Sequence, residues 1–85
     1  MTNNEMLIEL SSLALAINQQ TKHSTTYAYD GKRNMFEILI YANKSVTSRV
    51  VNYYLKIKLE QLAENYNECH KRLVKIIEDH YYECK

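Results

Sequence analysis

The residues best suited to chemistry are two cysteines and two histidines towards the C-terminus. His80 and Cys84 are four residues apart and would share one face of a helix, and Cys69 and His70 precede them by about three turns. Imidazole and thiolate are zinc ligands, but four side chains spread along one helix do not converge on one ion unless a second chain contributes. We therefore expect no metal and no cofactor here. A disulfide is also excluded, because the two cysteines would lie about 22 Å apart along that helix.

Catalytic patterns are equally sparse. Cys69 falls in the apolar stripe of its helix, where a thiol is usually an inert small hydrophobe rather than a nucleophile. The single glycine cannot build a phosphate-binding loop. The carboxylates that could act as acid and base show no pairing along the chain and are better explained as caps, turn residues or solvated side chains; they are Glu5, Glu9, Asp30 and Glu37. We predict that the protein is not an enzyme and has no catalytic residues.

Tyrosine is the residue type that remains for a function. The chain has eight tyrosines, one phenylalanine and no tryptophan. Tyrosine is enriched at contact surfaces, because its ring buries a large area while its hydroxyl keeps a polar partner. The question is which elements would bring tyrosines together on one surface.

The first element is a helix over residues 3–20. Its apolar residues recur at spacings of three and four and form one stripe, comprising Met6, Leu7, Leu10, Leu13, Ala14 and Ile17. Thr2 and Glu5 have the spacing of a capping box, in which each side chain bonds the backbone N–H of the other residue. The sequence thus predicts both the start of this helix and its buried face.

A β-hairpin follows, centred on Asp30-Gly31, with strands near 25–29 and 34–42. Alternation in the second strand puts Phe36 with Ile38 and Ile40 on the side of the helices. With a two-residue loop at 30 and 31, paired residue numbers add up to 61, so Tyr27 and Tyr29 would lie on the same side, in the core or at its edge. A three-residue loop would reverse their side and expose them.

Residues 49–59 satisfy two periods at once. A helical stripe runs from Val51 to His80 in steps of four and three, whereas Tyr53, Leu55 and Ile57 also alternate as in a strand. We favour a strand over 49–57, because two strands alone are marginal and three are not. A helix from Leu59 to Glu83 would follow, with an inner face of Leu59, Leu62, Tyr66, Cys69, Leu73, Ile76 and Ile77. The alternative is one long helix that forms an intermolecular coiled coil.

These elements predict a single α+β domain over residues 1–85 with the order αβββα, a three-stranded antiparallel meander covered on one face by two helices. The other face of the sheet stays open. We predict a partner-binding site there, formed by Met35, Leu39, Tyr41, Tyr54 and Lys56. The partner would be a protein or a second copy of the chain. Two alternatives remain: the C-terminal helix or tail covers this face, or its tyrosines and lysines form a stacking platform for single-stranded nucleic acid.

Several short features together resemble small proteins encoded by phages and prophages of low-GC Gram-positive bacteria. They are Ile17-Asn18 with Thr21, Tyr27, Tyr29 and Gly31, Ile38, Ile40 and Tyr41, and Tyr53-Tyr54-Leu55 before the last helix. The layout is also similar to that of small phage inhibitors of bacterial defence, including anti-CRISPR proteins. The resemblance implies an accessory protein that binds a host or phage component, with no catalytic residues to carry over. Inhibition of a host factor would fit such a role.

Charge and hydropathy agree with a binding protein but do not select the partner. The net charge is +1, which gives no overall field for steering towards nucleic acid. No apolar run reaches the length of a membrane span, and the N-terminus lacks the basic start of a secretory signal. We expect a cytoplasmic protein without a membrane partner.

Overall fold

The computed structural model describes residues 1–43 and 50–80, and for His80 only the backbone. Helix α1 spans Asn3–Gln20, and strands β1, β2 and β3 span Ser24–Asp30, Met35–Tyr41 and Val51–Lys58. A short 3₁₀ turn, Leu59–Gln61, leads into helix α2, Leu62–His80. The strands form one antiparallel sheet in the order β1-β2-β3. The predicted αβββα arrangement is confirmed.

Helix α1 begins as its sequence predicts. The Thr2 hydroxyl accepts a hydrogen bond from the Glu5 backbone N–H at 3.1 Å, and a Glu5 carboxylate oxygen accepts one from the Thr2 N–H at 3.0 Å. The helix ends at Thr21, whose N–H and hydroxyl both donate to the Ile17 carbonyl. These local bonds set the length of α1 and direct the chain into β1.

One core joins both helices to one face of the sheet. Phe36, Ile38 and Ile40 of the central strand are almost wholly buried against the helices. The helices contribute most of the other buried apolar side chains, namely Met6, Leu10, Ala14, Ile17, Leu62, Cys69, Leu73 and Ile76. Leu59, Tyr66 and Ile77 are only partly buried around this cluster. Leu7 and Leu13 of α1 are partly buried in the same way, so the predicted inner faces are correct in position, with five residues at the margin. The predicted start of the last helix at Leu59 is wrong by one turn, since Leu59 lies in the 3₁₀ turn and α2 begins at Leu62.

Residues 51–58 form a strand, so the long-helix alternative is wrong for this segment. The strand is more favourable because it pairs along the whole of β2 and places Ile57 and Leu55 beside the buried central residues. The predicted start of the strand at residue 49 and the end of the last helix at 81–83 lie outside the described residues.

The hairpin differs from its prediction in the length of its loop. Paired residues add up to 65, so the loop contains four residues, 31–34. The Asp30 carboxylate accepts from the N–H groups of Lys32 and Arg33, and Asn34 takes a left-handed conformation with φ 55°. Gly31 does not have a positive φ, so the predicted tight turn at Asp30-Gly31 is wrong.

Of the two sides that the sequence left open for Tyr27 and Tyr29, the structure has the one that an even-length loop gives, because 61 and 65 are both odd. Tyr27 pairs with Ile38 and Tyr29 with Phe36, which puts both tyrosines on the helix side. They are 47% and 50% exposed, so neither is a core residue. They are also absent from the residues packed around the core, because β1 is the outer strand, so the expected core or core-edge position is wrong.

Candidate functional site: the open sheet face

The open face is the side of the sheet opposite the helices, and the strand register arranges it in four rows. From one end to the other, the rows are Ser24, Tyr41 and Val51; Thr26, Leu39 and Tyr54; Ala28, Glu37 and Lys56; and Asp30, Met35 and Lys58. All five predicted partner-binding residues lie on this face. The described core cluster includes none of the twelve.

The side chains on the open face differ in size between the two outer strands. The β1 column consists of small side chains, while the β3 column carries a tyrosine and two lysines. A recess of about 170 Å³ lies on this face and extends across all three strands. It is lined by Ala28, Asp30, Arg33, Met35, Glu37 and Lys56. A protruding side chain of a partner could enter this recess.

Polarity also divides this face. Leu39, Tyr41, Val51 and Tyr54 form an apolar half, and Tyr54 is 52% exposed. The other half carries both acidic and basic groups, with Glu37 directly opposite Lys56 on the neighbouring strand. An apolar area beside a mixed-charge border is the composition of a protein interface.

Sequence reasoning missed Val51, and a β-bulge is the reason. Val51 pairs with Tyr41 and Tyr53 pairs with Ile40, so Asn52 is an extra residue in β3. Strict alternation would have put Val51 on the helix side with Tyr53. Asn52 within a run of valine and tyrosine is the only sequence signal of this bulge, and it is weak.

Tyr54 is held in place by a polar contact across the strands. Its hydroxyl donates a hydrogen bond to a Glu37 carboxylate oxygen at 3.2 Å. Partial desolvation, together with the bond to Glu37 and the charge of that carboxylate, raises the pKa of Tyr54 above its usual value. The hydroxyl is protonated at neutral pH, as in any tyrosine, and its bond to Glu37 restrains the position of the ring.

The face is uncovered as far as the described residues extend. Helix α2 packs on α1 and contributes to the core on the opposite side of the sheet. The alternative in which the C-terminal tail covers the face falls on residues 81–85, which lie outside the described residues.

The residues considered for chemistry lie elsewhere. Cys69 is buried on α2 and shares a side-chain hydrogen bond with Tyr53, whose ring lies 5.9 Å from the Arg72 guanidinium carbon. Burial raises the pKa of the Cys69 thiol, although the Tyr53 bond opposes this, so the thiol stays protonated and poorly nucleophilic. His70 meets Glu9 of α1 at 3.4 Å.

Within residues 1–43 and 50–80, no cluster of three or more histidine, cysteine or acidic side chains could hold a metal ion. The His80 side chain and Cys84 lie outside the description. A groove of about 440 Å³ follows α2 and is lined by Asn67, Glu68, Lys71, Arg72 and Lys75. The basic residues Lys71, Arg72 and Lys75 lie near the acidic Glu68 in this groove. Such a mixture of charges is typical of a solvent-exposed helix face.

Comparison with known proteins returned no relative: no protein-family profile, curated protein or solved structure matches the chain. Neither of the described helices has the length and apolar character needed to cross a membrane.

Proposed function

We propose that this chain is a non-enzymatic binding protein that acts by protein–protein contact through the open sheet face. The observation that carries the proposal is the apolar half of that face, where Leu39, Tyr41, Val51 and Tyr54 lie together outside the core. Tyrosine anchors surrounded by polar groups are typical of the centre of protein interfaces. On the resemblance noted above, the setting is the host cytoplasm and the role is that of a phage accessory protein that inhibits a host factor.

A protein partner is favoured over nucleic acid by the charges on the face. Lys56 and Lys58 could contact phosphates, but Glu37 and Asp30 lie in the same two rows. These carboxylates would repel a phosphate backbone, and the hydrogen bond of Tyr54 to Glu37 keeps that acid beside the stacking ring. Both signs of charge instead suit the mixed-charge border of a protein surface.

The test is capture of partners from a bacterial lysate on the tagged protein, with and without nuclease, followed by affinity measurement on the purified partner. We expect a stoichiometric protein that survives nuclease, and we expect Tyr54→Ala to weaken its binding about 30-fold, as for a hot spot of about 2 kcal/mol. The control is Lys71→Ala, which shortens an exposed side chain of α2, away from both the open face and the edge of β1.

An equal loss in both variants would contradict the assignment to the open face. Recovery that depends on nucleic acid, with affinity falling steeply as salt rises, would replace the proposal with the nucleic-acid alternative.

A further inference from the structure

The two edges of the sheet are protected unequally. Outer strand β3 carries the bulge at Asn52 and two lysines, Lys56 and Lys58, which are common devices against edge-to-edge pairing. Outer strand β1 has the sequence STTYAYD, with no lysine, proline or bulge. β1 is therefore the edge on which another strand can add.

The hydrogen-bonding groups of this edge follow from one contact. The Thr25 N–H donates to the Asn18 side-chain oxygen at 3.2 Å, so it points away from β2. Since backbone groups alternate in direction along an antiparallel strand, the N–H and C=O groups of Tyr27 and Tyr29 also point to the outer edge. They offer a short ladder to an incoming strand.

An apolar flank accompanies the edge on the helix side of the sheet. We define the β1 flank as Ile8, Leu15, Tyr27 and Tyr29; these are four of the eight large hydrophobic side chains exposed in the described residues, with Ile8 at 67%. A groove of about 310 Å³ separates α1 from the edge. It is lined by Leu7, Ile8, Ser11, Ser12, Leu15 and Tyr27. These side chains form the surface against which a second α1 would pack, at the roughly 8–10 Å spacing of packed helices.

We propose that the β1 flank binds a second copy of this chain, with β1 pairing antiparallel to its counterpart about a two-fold axis at Tyr27. The two three-stranded sheets would become one six-stranded sheet, and the two α1 helices would lie side by side above it. This surface is distinct from the open sheet face, so the proposal goes beyond the function proposed above.

Self-complementarity favours a second copy over a foreign strand. Tyr27 is the middle residue of β1, so the axis pairs Thr25 with Tyr29 and sets Asp30 opposite the neutral Ser24. The Thr25 N–H keeps its bond to Asn18, so the intermolecular bonds join the two Tyr27 residues to each other and each Tyr29 N–H to the opposite Thr25 carbonyl. Ile8 and Leu15 lie two helical turns apart, equally far from the small pair Ser11 and Ser12. Antiparallel α1 helices would therefore set Ile8 against Leu15 with close approach between them.

Charge and area agree with this arrangement. The groove is lined by uncharged side chains, and the neighbouring acid Glu9 contacts His70 on the side of α2. No like charges would thus meet across the axis. A standard interface buries about 800 Å² per partner, which is about one-seventh of the 5766 Å² surface of this chain. A seven-residue strand and one helix face are elements of suitable size.

The first experiment is sedimentation equilibrium on purified protein. We expect twice the chain mass of 10.1 kDa for the natural sequence. Tyr27→Lys, which puts two cations on the axis, and Ile8→Lys should give folded monomers by circular dichroism, while Tyr54→Lys on the open face should remain dimeric. A monomeric natural protein, or a dimer lost only with Tyr54→Lys, would overturn the proposal.

The geometry has its own test in a Cys84→Ser background. Tyr27→Cys should form an intermolecular disulfide under mild oxidation, because Cα atoms opposed in an antiparallel pair lie about 5.5 Å apart. Tyr29→Cys is the matched control and should not cross-link, since its two copies would be about 14 Å apart at 3.4 Å per residue. Equal cross-linking at both positions would contradict this register. Capture of a partner protein from lysate by the Ile8→Lys variant tests the function proposed for the open face independently of the dimer.

Discussion

At the residue scale, Cys69 shows that a thiol, which could act as a nucleophile, is made unreactive by burial. The thiol is 1% exposed and hydrogen-bonded with Tyr53, and burial raises its pKa. Sequence reasoning reached the same conclusion from the helical stripe alone, because an apolar spacing that includes a cysteine predicts its environment. The Tyr53 contact could not be predicted, since it depends on where β3 crosses α2.

We expect Cys69 to resist thiol reagents in the folded protein. In a Cys84→Ser variant at about pH 8, modification should be about 100-fold slower than in denaturant, since the thiol must be exposed by unfolding and then ionised. The measurement is the rate of reaction with a chromogenic disulfide in each condition. Rapid modification of the native protein would show that the thiolate is accessible, and a reaction that depends on the Cys69 thiol would again be a candidate function.

At the element scale, the four-residue loop between β1 and β2 depends on Asn34 more than on the glycine. Asn34 has φ 55°, and its side-chain oxygen accepts a hydrogen bond from the Tyr29 hydroxyl at 2.9 Å. Gly31 lacks a positive φ, and a Cβ there would meet Tyr29 at 3.7 Å, an ordinary contact distance. The sequence pointed to Gly31 instead of Asn34, because Asp-Gly is a strong turn signal. The bond between Tyr29 and Asn34 could not be known from the sequence.

Two substitutions in this loop should have opposite effects. Gly31→Ala should raise the free energy of unfolding by about 0.4–1 kcal/mol by restricting the unfolded chain. Asn34→Ala should lower it by about 1–2 kcal/mol, because a left-handed conformation is costly for alanine. Urea denaturation measures both, and Asn34→Gly controls for the backbone. A lower free energy of unfolding for Gly31→Ala than for the natural sequence would contradict the loop geometry.

The element that sequence reasoning found hardest was β3. Its strand character was predicted because two strands alone are marginal, and the structure agrees over Val51–Lys58. The bulge at Asn52 was not predictable, because an extra residue satisfies the same local propensities as a regular strand. Alternation therefore assigned the residues of the three strands to the two faces of the sheet, except at the one residue beyond the bulge, Val51.

At the scale of the whole molecule, one core connects both helices with strands β2 and β3, while β1 contributes no side chain to it. Leu10 of α1 and Leu73 of α2 are both fully buried in the cluster that includes Phe36 and Ile38. The two helices also contact each other directly, through the pair of Glu9 and His70 among others. A chain of this size has no second core to preserve part of the fold.

We therefore expect Leu10→Ala and Leu73→Ala each to lower the free energy of unfolding by about 2–5 kcal/mol. In each variant, helical circular dichroism and tyrosine fluorescence should report the same single transition. Val50→Ala, at an exposed site, should change stability by less than about 0.5 kcal/mol. Separate transitions for helix and sheet would contradict the shared core.

Asn34 has a consequence for how the hairpin avoids misalignment. A shift that changes the sum of paired residue numbers by an even amount keeps every side chain on its own face, so the hydrophobic core tolerates it. The Asn34 carbonyl accepts from the Leu59 N–H at 2.9 Å, which ties the loop to the end of β3 as well as to Tyr29. The alignment of β1 with β2 therefore depends in part on polar atoms at the loop, and Asn34→Ala would remove one of the two bonds that oppose a shifted register.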